Sequence, residues 1–208
     1  MRLVAATHNS NKLRELRALL GDLGVELCAL GDFPAAPAVC EDGRTFLANA
    51  RKKAHAVARH AGQFAVADDS GLEVDVLGGA PGVRSARFAA DAGAGAGDQA
   101  NVALLLQRLQ GVPEAERTAR FRCALVIAAP DGRELVAEGR CAGRIIDAPR
   151  GTRGFGYDPI FVHDSDARTF AELAPEEKNA RSHRAQAVAA LRPRLRPFLA
   201  APTGEGRR

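Results

Sequence analysis

The chain has 208 residues, of which 46% are hydrophobic and 26% are charged, and its formal net charge is +4. This composition excludes an intrinsically disordered chain, and the length allows one sizeable core or two small lobes. The positive charge comes mainly from Arg residues scattered over the whole length rather than from one basic block. Such a distribution favours a nucleotide over a nucleic-acid duplex as the anionic partner.

The sequence also predicts a cytoplasmic protein that binds neither nucleic acid nor a membrane. No apolar run approaches the roughly 20 residues of a membrane span, and residues 1–6 are too short for the apolar region of a signal peptide. The cysteines form no CxxC pair and have no His at zinc-ligand spacing, so we expect reduced thiols at Cys28, Cys40, Cys123 and Cys141.

The first part of the chain alternates strand and helix patterns. In chain order, the pattern predicts a strand at residues 2–6, a helix that ends at Gly21, a strand at 25–30, a loop at 33–41, a helix from Thr45 to Gly62 and a strand at 64–67. Glycines and Pro81 then predict a structured loop with little regular structure over residues 71–88.

The second part of the chain contains a hairpin signal. The pattern predicts a helix capped by Asp98 that ends at Gln110, paired strands at 121–129 and 134–139, a strand at 160–162 and a last helix from Ser182 to Arg192. Early strand–helix alternation with a late hairpin predicts an α/β fold with a mixed sheet flanked by helices. We expect two lobes that share one long sheet, in a single domain over residues 1–200 with a frayed tail at 201–208.

Two adjacent carboxylates follow the strand at 64–67, in the stretch VADDSGLEV. Side chains alternate between the faces of a strand, so Asp68 and Asp69 cannot point the same way without a kink. One Asp could bond the backbone of a turn at Ser70–Gly71. The alternative is a metal-binding or general-base carboxylate at the end of a strand, where α/β proteins commonly place chemistry.

The segment from Val4 to Lys12 passes from a strand through a short polar loop into a helix. Such a segment presents backbone N–H groups and the positive end of a helix dipole to a phosphate, with Asn9 and Lys12 as further donors. A simple capped turn is the alternative, and His8 is typical of an exposed loop residue. On the next helix, Asn49 and Lys53 share one face behind Glu41, so Lys53 could reach a phosphate or pair with Glu41.

The stretch GTRGFGYDP at residues 151–159 places glycines around two aromatic residues. A planar base could stack on Phe155 or Tyr157 while Asp158 accepts a ring N–H. A structural turn with the Phe in the core is the alternative. Near a later helix start, the cationic or N–H donors Lys178, His183 and Arg184 could meet an anion or a carbonyl oxygen, or could form a solvated cap.

Six motifs occur together in one order. They are Thr7-x-Asn9-x-x-Lys12, Glu41 with Thr45-Phe46-x-x-Asn49-Ala50-x-x-Lys53-Ala54, Ala67-Asp68-Asp69-Ser70-Gly71-Leu72, Gly79-x-Pro81-Gly82-x-x-Ser85-Ala86-Arg87-Phe88, Gly154-Phe155-Gly156-Tyr157-Asp158-Pro159 and Ser182-His183-Arg184-Ala185. In this order they strongly resemble the inosine/xanthosine triphosphate pyrophosphatase family, over about residues 2 to 191.

The resemblance implies an elongated mixed sheet with helices on both faces, a nucleotide-binding cleft between two lobes and a homodimer. It implies Mg²⁺-dependent hydrolysis of deaminated purine nucleoside triphosphates to the monophosphate and pyrophosphate. Asp69 matches the catalytic carboxylate, and the implied metal set is Glu41, Asp68 and Asp69. The implied substrate contacts are Thr7, His8, Asn9, Ser10, Asn11, Lys12, Lys53, Ser70, Phe155, Gly156, Tyr157, Asp158, Lys178, His183 and Arg184. Which carboxylate takes the proton is left open.

The motifs also depart from the family pattern at two positions. Ala48 stands where the family often has an acid, and Arg153 replaces a usual glycine ahead of Phe155. Two rival functions are a related enzyme for pyrimidine or modified nucleotides and a non-catalytic nucleotide- or RNA-binding module.

Overall fold

A computed structural model describes residues 1–201 of the chain. Within these residues the regular elements are β1 (Arg2–Ala5), α1 (Ser10–Gly21), β2 (Glu26–Cys28), α2 (Phe46–Ala61), β3 (Ala65–Val74), α3 (Phe88–Asp91), α4 (Asp98–Arg108), β4 (Thr118–Ala128), β5 (Glu134–Ile145), β6 (Phe161–His163), α5 (Pro175–Arg181) and α6 (His183–Ala200). Short 3-10 helices lie between several of them.

The strands form one mixed sheet in the order β2-β1-β3-β4-β5-β6. β1 runs parallel to β2 and to β3, with Val4 opposite Cys28 on one side and opposite Ala65 on the other. β5 runs antiparallel to β6, and β4 and β5 form the hairpin that the sequence predicts around residues 129–133. The predicted α/β fold with a mixed sheet is therefore confirmed.

The first two helices begin and end where the sequence places their signals. The side chain of Asn9 caps α1, and the Thr45 hydroxyl accepts a hydrogen bond from the N–H of Ala48 at 3.1 Å to cap α2. Gly62 ends α2 in a left-handed conformation, φ 61°, which glycine adopts without steric cost.

The chain divides into two compact units. Unit 1 contains residues 1–69, 123–139 and the chain from 184 onward, and unit 2 contains residues 70–122 and 140–183. Strands β3, β4 and β5 each contribute residues to both units. The elongated shape and the cleft between lobes stay predictions.

The core of unit 1 has two layers that follow the alternation of its strands. Val66 packs with Leu16 of α1 and Leu191 of α6. Ala65 and its neighbours on the other face pack with Ala54 of α2. Successive residues of a strand point to opposite faces, so β3 carries α1 and α6 on one face and α2 on the other.

The core of unit 2 combines aliphatic residues with a group of aromatic rings. Leu105 of α4 is fully buried against this core. The Phe121 and Phe161 ring centroids are 4.7 Å apart, and those of Phe161 and Phe170 are 5.0 Å apart. These separations lie in the range that aromatic pairs prefer.

β3 is longer than the sequence predicts. The expected loop from Gly71 is wrong for residues 71–74, because the strand continues through Asp68, Asp69 and Ser70 to Val74. Leu72 and Val74 are fully buried and hold this part of the strand in the core. Gly71 is needed for close approach rather than for a turn, since a Cβ there would lie 2.4 Å from Ser85 Oγ.

α6 is also longer than predicted, and it begins one residue later. It continues past the expected end at Arg192–Pro193 to Ala200, with Pro193 and Pro197 inside it. Proline removes a helix hydrogen bond, but the buried side chains of Leu191, Leu195 and Leu199 hold the helix against the core. Ser182 ends α5, since its N–H donates to the Lys178 carbonyl at 2.9 Å, and α6 begins at the next residue, His183.

None of the helices within residues 1–201 is long and apolar enough to cross a membrane. The frayed tail expected at 201–208 lies outside the described residues except for Ala201.

Candidate active site

The loop between β1 and α1 is organised around Asn9. Its Oδ1 accepts hydrogen bonds from the N–H groups of Asn11 and Lys12, both at 3.0 Å, and the Thr7 hydroxyl accepts from the N–H of Asn9 at 3.1 Å. The N–H groups of Asn11 and Lys12, which the sequence pattern predicts as phosphate donors, are therefore used in capping the helix instead. The substrate contacts of Thr7, His8, Asn9, Ser10 and Asn11 stay a prediction.

Asp68 lies at the centre of a buried charge cluster, which consists of Asp68, Lys12, Arg184 and Glu15. Its Oδ1 is 3.0 Å from Lys12 Nζ, and its Oδ2 accepts a hydrogen bond from Arg184 Nε at 2.5 Å. Arg184 Nη1 donates to Glu15 at 2.7 Å. Asp68 is fully buried and Arg184 is 2% exposed. Two carboxylates and two cations balance, as buried charges require.

A thiol lies beside this cluster. Cys123 Sγ is 3.5 Å from Asp68 Oδ2 and donates to it. Burial, as the larger cause, and the negative charge of Asp68, as the second cause, raise the pKa of the Cys123 thiol well above its usual value. The thiol therefore stays protonated, and it acts as a hydrogen-bond donor to Asp68 rather than as a nucleophile.

Asp69 faces α2 and contacts a different set of side chains. Asn49 Nδ2 donates to its Oδ2 at 3.0 Å, and Lys53 Nζ lies 3.5 Å from its Oδ1. Lys53 also donates to the Asp68 carbonyl at 2.8 Å and pairs with Glu41 at 3.3 Å. The predicted pairing of Lys53 with Glu41 is confirmed, and Asn49 and Lys53 share one face of α2.

The carboxylates of Asp69 and Glu41 differ in proton affinity. Burial raises the pKa of Asp69, although Lys53, Lys12 and Asn49 oppose the rise. Burial alone would raise the pKa of Glu41, but Lys53 and a hydrogen bond to Asp69 outweigh it and lower that pKa.

The donors near Asp69 suit a hard divalent cation. Mg²⁺ commonly binds through one or two carboxylates and completes its shell with phosphate oxygens and water. Glu41 and Asp69 are adjacent carboxylates, and burial, followed in last place by the Glu41 charge, raises the pKa of Asp69. Across residues 1–201, no group of three or more His, Cys, Asp or Glu side chains is arranged to hold a metal. A metal role for Asp68 would require Lys12 to leave its Oδ1.

In unit 2, Asp158 organises the loop at residues 151–159. Its Oδ2 accepts from the Phe155 N–H at 2.9 Å and from Lys178 Nζ at 2.5 Å. Lys178 Nζ also lies 4.9 Å from the centre of the Phe155 ring, within the range of a cation–π contact. Gly154 has φ +74°, and a Cβ there would lie 2.1 Å from Asp158 Oδ2.

The two aromatic residues of this loop have different positions. Tyr157 is 3% exposed and belongs to the core of unit 2, and its hydroxyl donates to the Ser85 carbonyl at 2.9 Å. Phe155 is half-buried. Phe155 is therefore the better platform for a planar base, and the substrate contacts of Tyr157 and Gly156 stay predictions.

His183 and Ser70 complete the predicted set in unit 2. The His183 ring is 3% exposed and stacks on Phe121, with centroids 4.9 Å apart and an interplanar angle of 14°. Ser70 is half-buried within β3. Their substrate contacts stay predictions.

Sequence reasoning missed Glu15 and Phe121. Glu15 follows Lys12 by three positions on α1, so it shares the helix face of Lys12, and this spacing is the signal that could have revealed it. Phe121 gave no signal, because its contact with His183 joins residues distant in sequence.

The predicted site residues fall into one set in each unit. Unit 1 contains residues 7–12, Glu41, Lys53, Asp68, Asp69 and Arg184. Unit 2 contains Ser70, residues 155–158, Lys178 and His183.

Known proteins match almost the whole chain. The family model described as Ham1 family matches residues 3–194. A protein of Geobacillus kaustophilus named dITP/XTP pyrophosphatase is 52% identical over 189 residues, 91% of each chain. The structure of a HAM1 protein from Coxiella burnetii is 40% identical with a TM-score of 0.83, and covers 95% of this chain and 99% of that one. A crystal structure from Mycobacterium abscessus, described as nucleoside-triphosphatase / dITP/XTP pyrophosphatase, is 47% identical with a TM-score of 0.73, and covers 94% and 100%.

These similarities extend over all six motifs, and they confirm the resemblance that the motifs indicate. The chain belongs to the Ham1 family.

Proposed function

We propose that the protein hydrolyses deaminated purine nucleoside triphosphates, namely the triphosphates of inosine, deoxyinosine and xanthosine, to the monophosphate and pyrophosphate. The observation that carries the proposal is the position of Asp69, buried beside Glu41 with Asn49 and Lys53 on its two oxygens. The dITP/XTP pyrophosphatases that the chain resembles at about half identity support the same reaction.

Asp69 is the proposed catalytic carboxylate, and Lys53 orients it. The Lys53 ammonium is fixed by the Asp68 carbonyl and by Glu41, so it holds Asp69 Oδ1 toward one side while Asn49 holds Oδ2. A carboxylate held by donors on both oxygens suits removal of a proton from an attacking water. Lys12 and Lys53 supply positive charge for the phosphates.

Magnesium is the proposed cofactor, held by Glu41 and Asp69. When bound, the ion would neutralise phosphate charge and so favour attack at phosphorus. Glu41 and Asp69 place two carboxylates beside Lys53, and this donor set supports the proposal. Activity that survives removal of all divalent cations with a chelator would contradict it.

The groups of unit 2 are proposed to recognise the base. Phe155 offers its ring for stacking, and Lys178, held by Asp158, offers a donor at the same place. Inosine and xanthosine carry an oxygen at ring position 6, where adenine carries an amino group. A donor such as Lys178 or His183 can hydrogen-bond to this oxygen, but it would face another donor in the amino group of adenine. An unmatched polar pair of this kind can reject a substrate by a factor on the order of 10⁴.

The motif suggests that Arg184 contacts the substrate, but in this proposal Arg184 mainly positions Asp68. Its Nε and Nη1 bind Asp68 and Glu15, so its main effect is to hold Asp68 in place. Homodimer formation is a further proposal, supported by the family motifs. A cytoplasmic location is another, supported by a sequence without a signal-peptide or membrane-span pattern. Equilibrium sedimentation of the purified protein would test the first.

The test is pyrophosphate release with Mg²⁺ from inosine, xanthosine, adenosine, guanosine and thymidine triphosphates. We expect turnover of the first two to exceed that of the others. Equal turnover of adenosine triphosphate would overturn the base-selection argument. High turnover of thymidine triphosphate would favour the related pyrimidine enzyme, and binding without turnover of any substrate would favour a non-catalytic module.

A further inference from the structure

Asp98 makes a contact that its place in the sequence does not suggest. An Asp before a helical pattern predicts an N-cap, but the N-cap of α4 is Gly97, with φ +87° and no side chain. Asp98 is the first residue of the helix, and its Oδ2 accepts a hydrogen bond from the Gly156 N–H at 2.6 Å. The carboxylate is therefore directed to the loop at residues 151–159 rather than to its own helix.

This hydrogen bond is one of three that hold consecutive residues of the loop. The Phe155 N–H donates to Asp158, the Gly156 N–H donates to Asp98, and the Tyr157 hydroxyl donates to the Ser85 carbonyl. The partners lie in three different segments of unit 2. Asp98 holds the glycine between the two aromatic residues.

The conformation of the loop requires such restraint. Gly154 and Gly156 have φ +74° and +62°, and a glycine has more alternative conformations to lose on ordering than any other residue. A change at Gly156 would rotate the chain next to Phe155, whose ring is the proposed platform for the base. A charge-assisted hydrogen bond to a backbone N–H is among the stronger single restraints available.

The helix that carries Asp98 is itself fixed. Asn101 is 2% exposed; its Oδ1 accepts from the Ala89 N–H at 2.8 Å and its Nδ2 donates to the Ala86 carbonyl at 3.2 Å. α4 is thereby tied to the segment that also supplies the Ser85 carbonyl. Asp98 therefore acts from a rigid support.

We propose that Asp98 is a positioning residue that presets the Gly154–Pro159 loop, so that Phe155 is oriented for stacking before the nucleotide arrives. The proposal rests on the proposed function for its kinetic consequence, but not for the contact itself. Its effect is on substrate affinity, because the loop carries no group assigned to the hydrolytic step.

The direction in which substrate affinity changes distinguishes a positioning role of Asp98 from a purely electrostatic effect of its charge. Asp98 is exposed and negative, and the substrate is an anion, so loss of the charge alone would strengthen binding. Loss of the hydrogen bond would weaken it. Asp98→Asn removes the charge but keeps an oxygen acceptor, whereas Asp98→Ala removes both.

The experiment compares Asp98→Ala, Asp98→Asn and the charge-matched control Asp91→Ala. Asp91 is also an acidic residue of unit 2 whose own side chain pairs with Arg84 rather than with the loop. For inosine triphosphate we expect Asp98→Ala to raise KM about three- to tenfold with kcat within about twofold of the wild type. Asp98→Asn and Asp91→Ala should stay within about twofold in both constants.

Amide hydrogen exchange of the substrate-free protein supplies a readout that does not depend on activity. Asp98→Ala should accelerate exchange in residues 151–159, and Asp91→Ala should not. An unchanged or lowered KM in Asp98→Ala, or unchanged exchange in the loop, would overturn the proposal. Absence of turnover by the wild type would overturn the proposed function instead, while the exchange data would still decide the contact.

Discussion

Asp68 and Asp69 are consecutive residues of β3, yet their carboxylates contact helices on opposite faces of the sheet. Asp68 binds Lys12 of α1 and Arg184 of α6, and Asp69 binds Asn49 and Lys53 of α2. The alternation of an uninterrupted strand produces this separation. Asp68 balances a buried charge cluster, and Asp69 is the proposed catalytic carboxylate.

The two positions should therefore respond differently to the same substitution. Asp68→Asn leaves Lys12 without its carboxylate partner and leaves Arg184 paired with Glu15, so we expect a loss of about 3 kcal/mol in the free energy of unfolding. Asp69 has a raised pKa, so its ionised form opposes folding at neutral pH. Asp69→Asn should leave stability equal or higher. Urea unfolding at pH 7 measures both, and equal losses would contradict this assignment.

Glu134 predicts a pH-dependent contribution to stability. It accepts from Arg51 Nε at 2.8 Å and contacts His55 Nε2 at 2.9 Å, which ties β5 to α2. Burial alone would raise the pKa of Glu134, but Arg51 and His55 lower it below the usual 4.5. A lowered carboxyl pKa stabilises the fold above that usual value, and the contribution is lost as pH falls through the lowered one.

Glu134→Gln should therefore be less stable than the wild type at pH 7, by less than about 1 kcal/mol because the pair is partly exposed. The difference should shrink as pH falls below 4.5. Urea unfolding at pH 7, 5 and 3.5 tests this, and a difference that stays constant with pH would argue against an ionic origin.

Gly154 and Gly156 form a matched pair for the proposed base-binding loop. A Cβ at Gly154 would collide with Asp158 Oδ2, whereas a Cβ at Gly156 would meet nothing within 4 Å. Both substitutions by Ala carry the strain of a positive φ, about 1–2 kcal/mol. Gly154→Ala should in addition displace Asp158 from Lys178 and raise KM for inosine triphosphate more than Gly156→Ala does. Similar KM values for the two variants would show that the collision is relieved without cost.

Pro193 predicts a stabilising substitution. It lies inside α6, where proline removes a backbone hydrogen bond and crowds the preceding turn. Pro193→Ala should raise the free energy of unfolding by about 1–3 kcal/mol. Pro197→Ala, near the end of the helix, should gain less. Thermal and urea unfolding measure both changes, and destabilisation by Pro193→Ala would mean that a proline-induced bend is needed for packing.

Much of the fold was predictable from local signals. The caps at Asn9, Thr45 and Gly62 fix the ends of α1 and α2, and the hairpin signal around residues 129–133 fixes β4 and β5. The errors arise where distant contacts override local preference. β3 passes through Ser70–Gly71 because Leu72 is buried, and α6 passes through Pro193 because Leu195 is buried.

The candidate site was predictable in its residues more than in its contacts. The motifs identify Glu41, Lys53 and Asp69 as site residues, and helix periodicity places Asn49 on the face of Lys53. The contact of Asn49 with Asp69 comes from the structure. The sequence does not reveal that Arg184 pairs with Glu15 and Asp68, because that cluster joins residues up to 169 positions apart. Nor does it show that Asp98 reaches Gly156, because a local capping role explains the same Asp equally well.

The central claim is that Asp69 drives hydrolysis of a deaminated purine nucleoside triphosphate. The most direct measurement is steady-state pyrophosphate release from inosine triphosphate by wild type and Asp69→Asn, with folding of the variant verified by urea unfolding. We expect the folded variant to lose at least about 10³-fold in kcat, since it lacks both the base and a metal-binding carboxylate. A folded Asp69→Asn protein that retains kcat within about threefold of the wild type would contradict the claim.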